Sequence, residues 1–164
     1  MPTTDTAKKY LARSIELATA NVSNGGGPFG AVLVTADGQA FDGVNRVTAT
    51  NDPTAHAEVT AIRRACSELG TFDLSGATLY ASCEPCPMCL ASALWARVAR
   101  VVFAADRHDA ASAGFDDAVF YGYFENDQRE ALMPVGRLEL TGPEALAVLD
   151  PFNAWNSLES RTKY

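Results

Sequence analysis

Two short segments carry the residue types that do chemistry: His56-Ala57-Glu58 and Pro85-Cys86-Pro87-Met88-Cys89. One imidazole and two thiolates are the nitrogen and sulfur donors that suit zinc. Three protein ligands leave one tetrahedral position for water, the mark of a catalytic site. A zinc ion there would lower the pKa of its water to roughly 7. Glu58 is not needed as a ligand. A carboxylate beside that water is placed for general acid/base work, taking a proton and returning it to a leaving group. The chain has only two histidines, His56 and His108, so a site of three imidazoles is excluded.

Spacing dictates the elements that must position these groups. Residues two apart on a helix do not share a face. His56 and Glu58 therefore converge only from a helix start, projecting past the first turn. Asp52-Pro53 and the loop before it support such a start. Cys86 and Cys89 are three apart and share a face. Helix N-termini carry partial positive charge and lower thiol pKa, so both segments are expected at helix starts.

Two blander readings compete. A CxxC at a strand-to-helix turn also fits a redox pair. Cys83, Cys86 and Cys89 are each three apart, so Cys83 would be the fourth ligand of a closed, structural zinc site. A closed site gives Glu58 no water to act on. Cys83 is read instead as a small buried residue at a strand end. Cys66 shares an apolar stripe with Ile62 and Leu69 and is read as core. His108 is assigned to the surface or to the surroundings of the site.

Periodicity supplies the rest of the frame. Residues 5–23 read as a helix, with Leu11, Ile15, Ala18 and Val22 as its apolar stripe. Asn24-Gly25-Gly26-Gly27-Pro28 ends it. Residues 29–35 and 39–47 read as strands around an Asp37-Gly38 hairpin turn, followed by a polar loop over 48–55. A helix over 55–69 is stopped by Gly70. Strands over 77–82 and 100–105 flank a helix over 86–96. The stretch 106–127 holds short helical pieces around Ala110 and Val119. Residues 135–141 are expected to form a fifth strand, and 143–149 and 152–160 C-terminal helices. This order gives a sheet covered by helices on both faces.

Composition excludes other classes. The 164 residues carry a formal charge of -7, a poor surface for binding phosphate backbones. A hydrophobic fraction of 48% excludes a disordered chain. The N-terminus lacks the basic start and apolar run of a signal peptide. The longest apolar-leaning stretch, 91–105, is broken by Arg97 and Arg100 and is too short to span a bilayer. The expectation is a cytoplasmic protein without membrane partners, whose cysteines point to metal binding or redox chemistry rather than to disulfides.

Around these motifs the chain resembles the cytidine deaminase-like zinc deaminases, and within them the bacterial guanine deaminases. The similar stretches are Gly26-Gly27-Pro28-Phe29-Gly30-Ala31, the run from Asn51 to Arg63, Ser82 to Cys89, Trp95-Ala96-Arg97, Ala113-Gly114-Phe115-Asp116-Asp117 and the terminal Lys163-Tyr164. HAE and PCxxC specify the superfamily. The GFDD segment and terminal Tyr are what point to guanine. The resemblance implies one deaminase domain over 1–164, a three-layer α/β/α sandwich with a five-stranded mixed sheet, and one Zn2+ per chain. It implies that His56, Cys86 and Cys89 hold the metal and that Glu58 shuttles protons. Asn45, Phe29, Ala57, Trp95, Asp117 and Tyr164 would meet the base, with Asp117 assisting proton transfer. It further implies a homodimer in which residues 143–164 cross to the partner and complete its site.

A tRNA adenosine deaminase shares HAE, PCxxC and a similar length, but needs the basic surface that this composition denies. Another small aminated ring presents a similar edge to the same site. A non-enzymatic zinc or redox module is the remaining alternative.

Overall fold

Thr3 caps the first helix by accepting the Thr6 amide at 3.3 Å, and α1 (Thr4–Ser23) runs from there to Asn24. The computed structural model describes residues 3–125 and 129–164. After α1 come β1 (Gly30–Val34) and β2 (Ala40–Val44), an antiparallel hairpin turned at Gly38, whose φ of 91° suits glycine. A short α2 (Val47–Thr50) interrupts the expected polar loop. Then follow α3 (Ala57–Leu69), β3 (Thr78–Cys83), α4 (Pro87–Trp95) and β4 (Arg100–Ala105). Gly70, left-handed at φ 65°, stops α3 as expected.

The sheet order is β2-β1-β3-β4. β1 is antiparallel to both neighbours, and β3 and β4 are parallel. Alternation along β1 sends Ala31 and Leu33 to one face and Val32 and Val34 to the other. The first face packs with Phe41 and Leu79 against Ala61, Ile62 and Ala65 of α3 and Ala93 of α4. The second packs with Tyr80 against Tyr10 and Leu11 of α1. Fully buried leucines such as Leu33 and Leu79 each contribute about 1.5–3 kcal/mol. The result is the expected α/β/α layering.

Two strand glycines set how closely the layers approach. A Cβ on Gly30 would lie 2.3 Å from the Ser14 carbonyl oxygen of α1. A Cβ on Gly43 would lie 2.2 Å from the Ala57 carbonyl oxygen of α3. The close seat of α1 also rotates its buried face. Ser14, Ala18 and Asn21 are buried, whereas Ile15 and Val22 of the expected stripe are 46% and 52% exposed. Small residues are what a helix can place directly over a strand glycine.

The remaining helices are α5 (Arg107–Ser112), opened by an Asp106/Asp109 capping box, α6 (Ala118–Glu125), α7 (Arg129–Leu132), α8 (Pro143–Leu146) and α9 (Asp150–Ser157). α5 and α6 are the helical pieces expected within 106–127, whose last two residues lie outside the described ones. The chain divides into two units, Met1–Tyr121 and Gly122–Tyr164. The first holds the whole sheet. The second holds α7, α8 and α9.

The expected fifth strand is not seen among the described residues. Among the described residues the sheet has four strands, and 135–141 has no ladder partner. Val135 and Leu138 are 68% and 81% exposed. The apolar residues there fall three and then two apart, so they do not line one face of a strand. Among the described residues no helix is long and apolar enough to cross a membrane.

Candidate active site

His56 is the N-cap of α3, held extended at φ -66°, ψ 160°. Cys86 is the N-cap of α4 at φ -65°, ψ 168°, with Pro87 opening the helix and Cys89 one turn on. An N-cap side chain projects beyond the helix end, so the two starts bring their side chains together. His56 Nδ1 lies 3.6 Å from Cys86 Sγ and 3.5 Å from Cys89 Sγ. All three donor atoms lie within 4.8 Å of one another. Tetrahedral zinc, with bonds of about 2.1 Å to nitrogen and 2.3 Å to sulfur, separates N and S by about 3.6 Å. The donor set and its spacing therefore fit one zinc ion.

The electrostatics of the trio favour a thiolate. Cys86 is pulled down to about 4 by the Cys89 thiol and by His56. Cys89 moves up, because it shares its proton with the Cys86 thiolate and is buried. His56 is raised chiefly by its contact with Cys86. Glu58, at the second position of α3, is only 7% exposed. Burial pushes its carboxyl up, easing proton uptake and release.

Cys83 does not join the trio. Its thiol donates to the Asp106 carbonyl at 3.4 Å, and burial pushes it up to about 11. The closed four-ligand site is thus not formed among the described residues. All four cysteines are free, and Cys66 packs against the α3 core as expected. His108 sits in α5 and is not a member of the metal group.

Of the residues expected to meet a ligand, Ala57 and Asp117 lie beside the metal donors. Ala57 opens α3 and is buried. Asp117 lies within electrostatic reach of Cys86 and His56, and burial with the Cys86 thiolate raises its carboxyl. The cap of α6 falls to its neighbour, since Asp116 accepts the Ala118 amide at 3.0 Å. Phe29 is half-buried and packs edge-on against Phe115, ring centroids 5.0 Å apart. These rings flank an apolar cavity of about 700 Å³ between α1 and α5, whose lining includes Cys83 but none of the three metal donors. Trp95 ends α4, about 13 Å along the helix from Cys86, and is 69% exposed. Tyr164 is exposed at the end of the second unit.

Asn45 follows β2 and is buried, its side-chain oxygen accepting the Val47 amide at 3.2 Å. Its backbone is tied on both sides. The Asn45 amide donates to Phe29, and the Asn45 carbonyl accepts from Asn21 Nδ2 at 2.8 Å. The same Asn21 nitrogen donates to the Gly27 carbonyl at 2.9 Å. Sequence reasoning missed Asn21. Its signal was position: Asn21 continues at helical spacing from Ser14 and Ala18, and its side chain packs against the loop glycine Gly26.

Residues 4–105 match the model of the cytidine and deoxycytidylate deaminase zinc-binding region. The chain belongs to this deaminase family. Within it, the guanine deaminase of Bacillus subtilis is 46% identical over 94% of the chain and 97% of that protein. The crystal structure of guanine deaminase from Bacillus subtilis superposes with a TM-score of 0.87, covering 96% of this chain and 98% of that one. The tRNA-specific adenosine deaminase of the same organism is 41% identical over 58% of the chain and 60% of that protein. Membership makes the chain a zinc-dependent deaminase, with His56, Cys86 and Cys89 placed for its one metal ion.

Proposed function

We propose that this deaminase hydrolyses guanine to xanthine and ammonia. The observation that carries the reading is likeness to a guanine deaminase over essentially the whole of both chains. His56, Cys86 and Cys89 would hold a zinc ion, which would supply a Lewis acid that makes water nucleophilic near neutral pH. Glu58 takes a proton from the water that adds to C2 and delivers it to the adjacent ring nitrogen. A second transfer, through Glu58 or Asp117, lets the amino group leave as ammonia. Asn45 hydrogen-bonds the purine, and Phe29 lines the ring. The Ala57 amide meets an electron-rich atom of the base, and Asp117 binds its amino-bearing edge.

Trp95 and Tyr164 complete the base contacts in a homodimer whose C-terminal segment, 143–164, crosses to the partner subunit. The exposed apolar side chains of the second unit, Phe152 and Leu149 among them, support this. Four free cysteines support a reducing, cytoplasmic location.

The test is a substrate panel on zinc-loaded protein: guanine, cytosine, cytidine, adenine and an aminated triazine. Xanthine from guanine is expected, and its absence overturns the reading. A tRNA substrate is the second reading, on the strength of the 41% identity. The charge of -7 opposes it. Tight tRNA retention on a filter at low salt, without guanine turnover, would reverse the choice.

A further inference from the structure

The turn that carries Cys86 is short of backbone donors. Pro85 and Pro87 flank the ligand, and proline has no N–H. Of the three residues Pro85, Cys86 and Pro87, only Cys86 can donate from its main chain. Pro85 itself is fully buried. Whatever holds this turn must therefore act largely through its carbonyls and through Glu84.

Three side chains do so. Tyr121 of α6 donates its hydroxyl to the Pro85 carbonyl at 3.0 Å. The Arg107 guanidinium lies 4.2 Å from the centroid of the Tyr121 ring, within cation–π range. Arg107 Nε pairs with Glu84 Oε1 at 3.3 Å, and the Arg107 amide donates to Glu84 Oε2 at 3.1 Å. The Glu84 amide in turn donates to the Ala105 carbonyl at 2.8 Å. The chain of contacts starts at the end of β4, passes over the Tyr121 ring and ends on the residue before Cys86. Burial pushes the Tyr121 hydroxyl up to about 12, so it remains a donor throughout the neutral range.

We propose that Tyr121, steadied by Arg107 and Glu84, is a positioning residue of the metal site: its hydroxyl pins the Pro85 carbonyl and so fixes the direction in which Cys86 presents its thiolate. It acts through the turn, as groups outside the ligand set commonly do when they orient a ligand. The proposal rests on zinc binding by His56, Cys86 and Cys89.

Tyr121→Phe removes one oxygen and keeps the ring beneath Arg107. Zinc release from the loaded protein to a chromophoric chelator is the readout, at a temperature far below unfolding. Release is expected to be on the order of 10-fold faster in the variant. Arg107→Gln, which keeps the hydroxyl but unseats the ring, should move it in the same direction by less. Replacing zinc with cobalt(II) gives a second signature, since the thiolate-to-cobalt charge-transfer band should shift or broaden in Tyr121→Phe. Parental release and a superimposable cobalt spectrum would overturn the proposal, even with a lower Tm, because that pattern describes a residue serving only the fold. Failure of the underlying zinc assignment looks different, as the parent itself would then hold no stoichiometric metal.

Discussion

The seat of α3 on Gly43 offers a direct test of how the fold positions the metal. A Cβ placed on Gly43 meets the Ala57 carbonyl oxygen at 2.2 Å, the Ala61 amide nitrogen at 2.5 Å and the Ala61 Cβ at 2.9 Å. The two nearest atoms are backbone, so no rotamer change relieves the clash. To reach ordinary contact at 3.4 Å, the first turn of α3 must retreat from β2 by about 1.2 Å. His56 is the residue immediately before that turn, whereas Cys86 and Cys89 belong to α4 and would not follow. Metal–ligand distances tolerate only about 0.2 Å. Gly43→Ala should therefore weaken zinc binding beyond its cost to the fold. That cost is about 1–3 kcal/mol for overpacking, a Tm lower by roughly 2–12 °C. The assay is zinc retained per chain under a graded chelator, with Tm measured in parallel. Gly38→Ala is the control. Its site is open but left-handed at φ 91°, so it strains the hairpin turn far from α3. It should lower Tm while retaining the parental zinc affinity. If Gly43→Ala kept zinc within twofold of the parent, or Gly38→Ala lost as much, the link from the glycine seat to the metal would be refuted.

Three further outcomes follow from the site. Glu58→Gln preserves shape and burial but cannot shuttle protons; it should retain zinc by metal analysis and lose at least about 10²-fold in kcat, and full turnover would remove Glu58 from the mechanism. The Cys83 thiol, raised from an ordinary 9.0 to about 11, is less ionised at any pH below that range. Because the thiolate is the nucleophile, its alkylation at pH 8 should be on the order of 100-fold slower than that of an ordinary thiol; peptide mass mapping showing Cys83 labelled at a free-thiol rate would contradict the buried contact with Asp106. Asn21→Ala leaves the Gly27 and Asn45 carbonyls without their shared donor, a loss of about 1–3 kcal/mol. If Asn45 binds the base, KM for guanine should rise roughly 10-fold, equivalent to about 1.4 kcal/mol, with kcat changed less; an unaltered KM would confine Asn21 to the fold.

The metal ligands were legible in the sequence because the information is local. HAE can converge only from a helix start, and PCxxC places two thiols on one helical turn; α3 and α4 do begin at these residues. The Asp37-Gly38 turn and the Gly70 stop are local too, and the hairpin and α3 obey them. Cys83 needed a second argument, because it stands three residues from Cys86, just as Cys86 stands from Cys89: a fourth ligand would leave Glu58 no water, and its place at the end of β3, with its thiol turned to Asp106, bears out the reading as a buried strand-end residue. The face of α1 was likewise decided by packing: hydrophobicity favoured Ile15 and Val22, but the helix had to rest on Gly30 and so buried Ser14, Ala18 and Asn21. For 135–141, apolar residues suggested a strand that found no ladder partner. By itself, then, the sequence determined which donors exist, which helix ends present them and which chemistry they suit, because each depends on neighbours a few residues away. Only the tertiary structure decided which side of a helix is buried and which distant side chains, Asn21 and Tyr121 among them, hold the site's backbone. Those contacts join residues 24 to 36 positions apart, and no local pattern specifies them.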